Sequence, residues 1–161
     1  MVLDVMHRYF DGERSAGVLL AALGVMALGF SWWLRAGGGA LRAMMFPVAL
    51  VGALQLAVGV GLAAKTGAQV AALEQGFSTG DGSAARAAER ARMERVQRNF
   101  VIIKRVWTAL ALVALGLAML GGRDARVAVG IGLAVQMSVM LAFDVFAEAR
   151  GAAYLAWLRA G

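Results

Sequence analysis

The sequence predicts an all-α fold, an integral membrane four-helix bundle built from two helical hairpins. Three observations predict it. Apolar residues make up 61% of the 161-residue chain and charged residues 16%, against about 45–50% and about 25% in soluble domains; mean hydropathy is +0.71. Four stretches carry no charge, 15–34, 43–64, 106–122 and 127–143, and each falls within the roughly 17–25 residues that a helix needs to cross a bilayer. None of them alternates in the way of a half-buried strand, and a spanning barrel needs more than four strands. The third observation is charge placement, which gives the bundle a direction. Twelve of the sixteen Lys and Arg residues lie at the termini or between spans two and three, and four (Arg35, Arg42, Arg123, Arg126) lie in the two short turns. The richer side is expected to be cytoplasmic, with both termini inside and the protein in a cytoplasmic (inner) membrane as a single multi-pass domain, 1–161.

The pieces outside the spans follow in chain order. Residues 2–11 place Val2, Leu3, Val5, Met6, Tyr9 and Phe10 on one side and Asp4, His7, Arg8 and Asp11 on the other. That pattern predicts a short amphipathic helix lying in the membrane interface, ended by Gly12, with a solvated His7. The first span exceeds the apolar run of a cleavable signal peptide and follows Asp4, Asp11 and Glu13, so cleavage is not expected. Pro47 lies one turn into span two, where it starts or bends the helix.

The inner segment 65–105 is the sizeable polar part. Its glycine- and serine-rich stretch around 77–82 predicts a turn. The helix that follows runs without a breaker from Ala84 to Gly116. Val70, Leu73 and Phe77 form an apolar stripe on one arm, and Met93, Val96 and Phe100 form one on the other. Their meeting predicts a helical hairpin projecting into the cytoplasm. The C-terminal stretch 145–160 continues span four or lies along the surface. Tyr154 and Trp157 are read there as interfacial residues, with Trp107 at the same interface and Trp32 and Trp33 at the opposite one.

Function is less legible. The chain has no Cys and one His, which excludes disulfides, thiolate metal sites and bis-histidine haem. No cofactor, metal site or catalytic constellation is expected. The basic residues alternate with Ala and Glu and lack aromatic platforms, so a nucleic-acid partner is not expected either. On span four, Gly132, Gln136, Met140, Asp144 and Glu148 recur every four residues on one face. Lys104 and Arg105 on span three lie at the depth of Asp144, so a salt bridge locking the two spans is expected, with a cation or proton site as the sharper reading. Gln55 shares a face with Gly52, Gly59 and Thr66, and Ala53, Ala57 and Gly61 form a small-residue run nearby; interhelical hydrogen bonding is the expected role of both Gln55 and Gln136. A shift of 81 residues superposes Arg42 on Arg123 and Gln55 on Gln136, the trace that a duplicated hairpin would leave.

Three functions are compatible with these residues. The first is a non-enzymatic membrane protein that binds a membrane or cytoplasmic partner, as an accessory, assembly or immunity-type subunit. Its handle would be the charged surface of 84–99: Arg86, Glu89, Arg90, Arg92, Glu94 and Arg95. The second is a small-solute or ion transporter with a polar path at Gln55, Gln136 and Asp144; four short helices enclose little room, so it would be a homo-oligomer. The third is a lipid-modifying enzyme using Asp144 or Glu148, which lacks a partner nucleophile.

Overall fold

A computed structural model describes residues 2–79 and 82–160. It is all-α. The helices are α1 (Val2–Leu34), α2 (Gly39–Ser78), α3 (Ser83–Leu120) and α4 (Asp124–Ala160). All four are long and apolar enough to cross a membrane. At 1.5 Å per residue they are about 50–60 Å long, well beyond the ~30 Å of a hydrocarbon core. Each helix therefore has an apolar half and a polar half, and the polar halves all fall at one end of the bundle. The turns at the other end are tight. Gly39 and Gly122 take φ of +56° and +59° there, a conformation that side-chain-bearing residues rarely adopt.

The helices take two equivalent hairpin places. α2 and α4 pack against each other at the centre; α1 flanks α2 and α3 flanks α4. Among the described residues the α1 and α3 backbones stay apart, and the two helices meet only through side chains of the polar half, such as Phe10 and Arg92. The hairpin contacts depend on glycine. A methyl group on Gly24 would lie within 3.0 Å of the Leu56 and Gly52 backbones, and one on Gly59 would meet the Ala21 and Gly17 backbones as closely. Gly17 and Gly24, and Gly52 and Gly59, are each one heptad apart, so the same close approach recurs every two turns. Gly130 does the same on α4 against Ala114 and Ala118 of α3. Small residues thus replace side-chain interdigitation where two backbones touch.

Two cores follow from the two halves. In the apolar half Leu20, Val51, Met137 and Met140 are buried together, with Trp107, Leu110, Leu133 and Phe143 packed around them. In the polar half the core is Met6, Tyr9, Phe10, Met93, Tyr154, Leu155 and Leu158, with Val5, Val70, Leu73, Phe77, Val96 and Trp157 against it.

This second core corrects the expectations for both chain ends. Residues 2–11 are not a separate interfacial helix. They form the first turns of α1, and Gly12 does not end the helix. A glycine inside a helix costs only about 1 kcal/mol, and here the packing of Met6, Tyr9 and Phe10 outweighs it. Tyr154 and Trp157 belong to the same core rather than to an interface. The arms of the 65–105 segment accordingly meet as part of a four-helix head, in which the first turns of α1 and the last turns of α4 share the core. The run Ala53, Ala57, Gly61 faces outward, because the seam of α2 follows Val48, Gly52, Gln55, Gly59 and Thr66.

Gly59 and Gly61 offer a matched pair. Gly61 has open space where a Cβ would stand. Gly59→Ala is expected to cost about 1–3 kcal/mol by overpacking, whereas Gly61→Ala is expected to be neutral or to raise Tm slightly through helix propensity. Thermal unfolding of both variants in the same detergent checks this; equal Tm values would contradict the close approach.

Candidate functional site

The polar half concentrates the chemistry of the chain. An aromatic column runs through it. The Tyr9 and Tyr154 rings stack with centroids 4.4 Å apart and planes 6° from parallel. Tyr154 in turn stacks on Trp157 at 5.7 Å, and the Arg86 guanidinium lies 4.8 Å from the Trp157 ring centre. Phe10 meets both tyrosines edge-on. Such pairs contribute about 0.5–1.5 kcal/mol each beyond the area they bury. The column joins α1, α4 and α3.

Charges tie the helices around it. Glu89 is 4% exposed and receives two hydrogen bonds from Arg92, Nε to Oε2 and Nη2 to Oε1, both 2.7 Å. That bidentate pair satisfies a buried carboxylate, and hydrogen bonding to Glu89 raises the pKa of Arg92 further. Arg92 also lies over Phe10 at 5.8 Å. Arg159 donates to Glu94 at 3.0 Å, which draws the Glu94 carboxyl below its ordinary range. His7 sits 3.0 Å from Glu74, so it is engaged with α2 rather than freely solvated. Arg150 reaches Glu13 at 3.3 Å.

Where the head meets the apolar half, α3 and α4 are linked three times. Gln97 Nε2 donates to the Glu148 carbonyl at 3.2 Å. Lys104 pairs with the Glu148 carboxylate. Trp107 Nε1 donates to Asp144 Oδ2 at 2.7 Å. The expected pairing is thereby reassigned. Lys104 lies one turn further along α3 from Asp144 than depth alone implied, and Glu148, one turn on from Asp144, takes it. Asp144 accepts from the indole instead, and Arg105 is exposed.

Deep in the apolar half, Gln55 Nε2 donates to Gln136 Oε1 at 3.0 Å. Gln55 is 1% and Gln136 8% exposed. The bond joins the two central helices at the 81-residue spacing noted in the sequence.

The proposed charged surface divides. Arg90 and Arg95 are exposed, as is Arg98. Arg86, Arg92 and Glu94 are partly covered and engaged as described. Glu89 is not on the solvent side at all; it is a buried anion of the head. Sequence reasoning overlooked the column itself. Its signal was present as Tyr154 and Trp157 three residues apart, opposite an aromatic pair at 9 and 10. No family model matches the chain, and neither the curated proteins nor the solved structures contain a match to it.

Tyr9 and Tyr154 are the only tyrosines in the chain, so phenolate absorbance reads the head core alone. Burial raises both pKa values, with Glu13 adding to the shift at Tyr9 and Glu89 at Tyr154. Unfolded phenols titrate near 10. A pKa raised in the folded state means that the stabilisation is complete below the unfolded value and is lost progressively as pH rises from there through the folded one. Phenolate absorbance is therefore expected well above pH 10 in the folded protein, together with loss of head packing; ordinary titration in the intact protein would contradict the stacked core. For the lower links, Glu148→Gln is expected to cost about 1–2 kcal/mol, between surface and buried pairs. Asp144→Asn keeps an oxygen acceptor for Trp107 and is expected to cost less. The reverse order of Tm would contradict the assignment.

Proposed function

We propose that the protein is a multi-pass protein of the cytoplasmic membrane, with both termini on the cytoplasmic side, and that it acts without catalysis by holding a protein partner on its four-helix head. The observation that carries this reading is the head itself. It has its own aromatic core, and the pairs His7–Glu74, Glu13–Arg150 and Glu94–Arg159 join its helices. The distribution of Lys and Arg supports the orientation. The exposed cations Arg95 and Arg98 then face the cytoplasm and suit a partner with an acidic surface. Charges of this kind steer association more than they stabilise a fold.

The transport reading competes for the same residues. It needs Gln55, Gln136 and Asp144 to line a path, with a second copy of the chain completing it. The hydrogen bond of Gln55 to Gln136 and that of Asp144 to Trp107 favour interhelical adhesion instead. The lipid-modifying reading rests on Asp144 and Glu148, which are engaged with Trp107 and Lys104.

One pair of variants separates the first two readings. Arg95→Gln combined with Arg98→Gln is expected to abolish complementation of a deletion strain while leaving Tm nearly unchanged. Arg90 and Arg92 are left intact, because Arg92 holds the buried Glu89. Gln136→Leu is expected to lower Tm by removing one neutral hydrogen bond, worth about 1 kcal/mol, yet to retain function. A dead Gln136→Leu at normal expression beside a live arginine variant would overturn partner binding in favour of transport.

A further inference from the structure

At the tip of the head, the ends of the helices leave an open cavity of about 560 Å³, within the range of small-molecule sites. One wall is apolar, formed by Leu3, Phe77 and Leu158 from three helices; the other carries Arg86, Arg90 and Arg159. Glu94 lies between two of these cations, 3.0 Å from Arg159 and 3.6 Å from Arg90. Among the described residues that line the cavity the acid is Glu74, which is engaged with His7. Arg86 differs from the other two. Its Nε is buried without a hydrogen-bond partner, and its guanidinium is held against Trp157. No hydrogen bond or ion pair engages the Arg86 guanidinium among the described residues, so its Nη groups remain for an acceptor bound in the cavity that Arg86 lines. Arg86 is thus a cation with no anionic partner among the described residues, on the wall of a roomy, half-apolar site.

We propose that this cavity binds a small organic anion, a phosphate or carboxylate carrying a compact apolar or aromatic body. The arginine wall takes the anion, and Leu3, Phe77 and Leu158 take the body. A bare inorganic anion leaves the apolar wall unused, and a neutral body leaves Arg86 unmet. The anion comes from solution. From the end of the second uncharged stretch at Ala64 to Ser78 at the cavity is fourteen residues of helix, about 21 Å, which sets the site above the headgroups of the surrounding bilayer. This inference goes beyond partner binding and uses different arginines.

The test is calorimetric titration of the intact protein, reconstituted in nanodiscs of phosphatidylcholine, with phenyl phosphate, inorganic phosphate and phenol. Phenyl phosphate is expected to bind at least about tenfold more tightly than either fragment, because each supplies only half of the contacts. Arg86→Gln is expected to weaken phenyl phosphate about tenfold, the scale of one charge-assisted hydrogen bond. Leu3→Glu, at an exposed position on the rim, is expected to abolish binding by placing a carboxylate there; the unchanged Tm of this variant guards against a folding defect. Phenyl phosphate binding no better than inorganic phosphate, or binding indifferent to both substitutions, would overturn the proposal. Nanodiscs doped with phosphatidic acid test the source of the anion. Unchanged phenyl phosphate affinity is expected; competition by the doped lipid would overturn the assignment to a soluble anion and place a lipid phosphate in the same site.

Discussion

The stack of Tyr9 on Tyr154 is the contact on which the polar half depends. It joins the first helix to the last across the middle of the head. Without it, the ends of α1 and α4 would hang free of the α2–α3 arms, and the half-apolar faces of four long helices would stand in water. With it, Met6, Phe10, Met93, Leu155 and Leu158 close around one core. The buried Glu89 is tolerable only inside that arrangement, because Arg92 neutralises it and Phe10 covers the guanidinium. The cavity at the tip is a further consequence. The column ends in Trp157 and Arg86, and the arginine that caps it retains a donor that nothing in the described protein satisfies.

The apolar half follows a different rule. In a bilayer a helix would gain little from apolar contact with another helix, and close backbone approach and interhelical hydrogen bonds would take the place of hydrophobic burial. The glycine pairs of α1 and α2, and Gly130 against α3, supply the first. Gln55 with Gln136 supplies the second. Large apolar side chains such as Met26, Leu50, Met119 and Leu120 point outward, as they would toward lipid.

The four helices and their turns were legible in the sequence, because absence of charge over about twenty residues is a one-dimensional property. The shared face of Gln55, Gly52, Gly59 and Thr66 was legible for the same reason, since helical periodicity sets it. The small-residue run at 53, 57 and 61 was misleading. Spacing alone gives several candidate faces, and only the position of α1 selects one. The salt bridge at the foot of the head was legible as chemistry but not as pairing: Asp144 and Glu148 lie one turn apart, and the register of α3 against α4 decides which of them meets Lys104. The docking of residues 2–11 was hidden because an apolar stripe reads alike whether it faces lipid or protein. The tip cavity was hidden too, because it draws residues from all four helices.

The central claim is that the N-terminal turns of α1 are part of a protein core. Amide hydrogen exchange over residues 5–13, measured in lipid nanodiscs for the wild type and Tyr154→Ala, tests it most directly. In a docked helix these amides exchange as slowly as those of 90–97 in the wild type, and the loss of Tyr154 exposes both segments together while 15–34 stays protected. Rapid exchange of 5–13 in the wild type, or slow exchange indifferent to Tyr154→Ala as for a helix resting on lipid, would contradict the account.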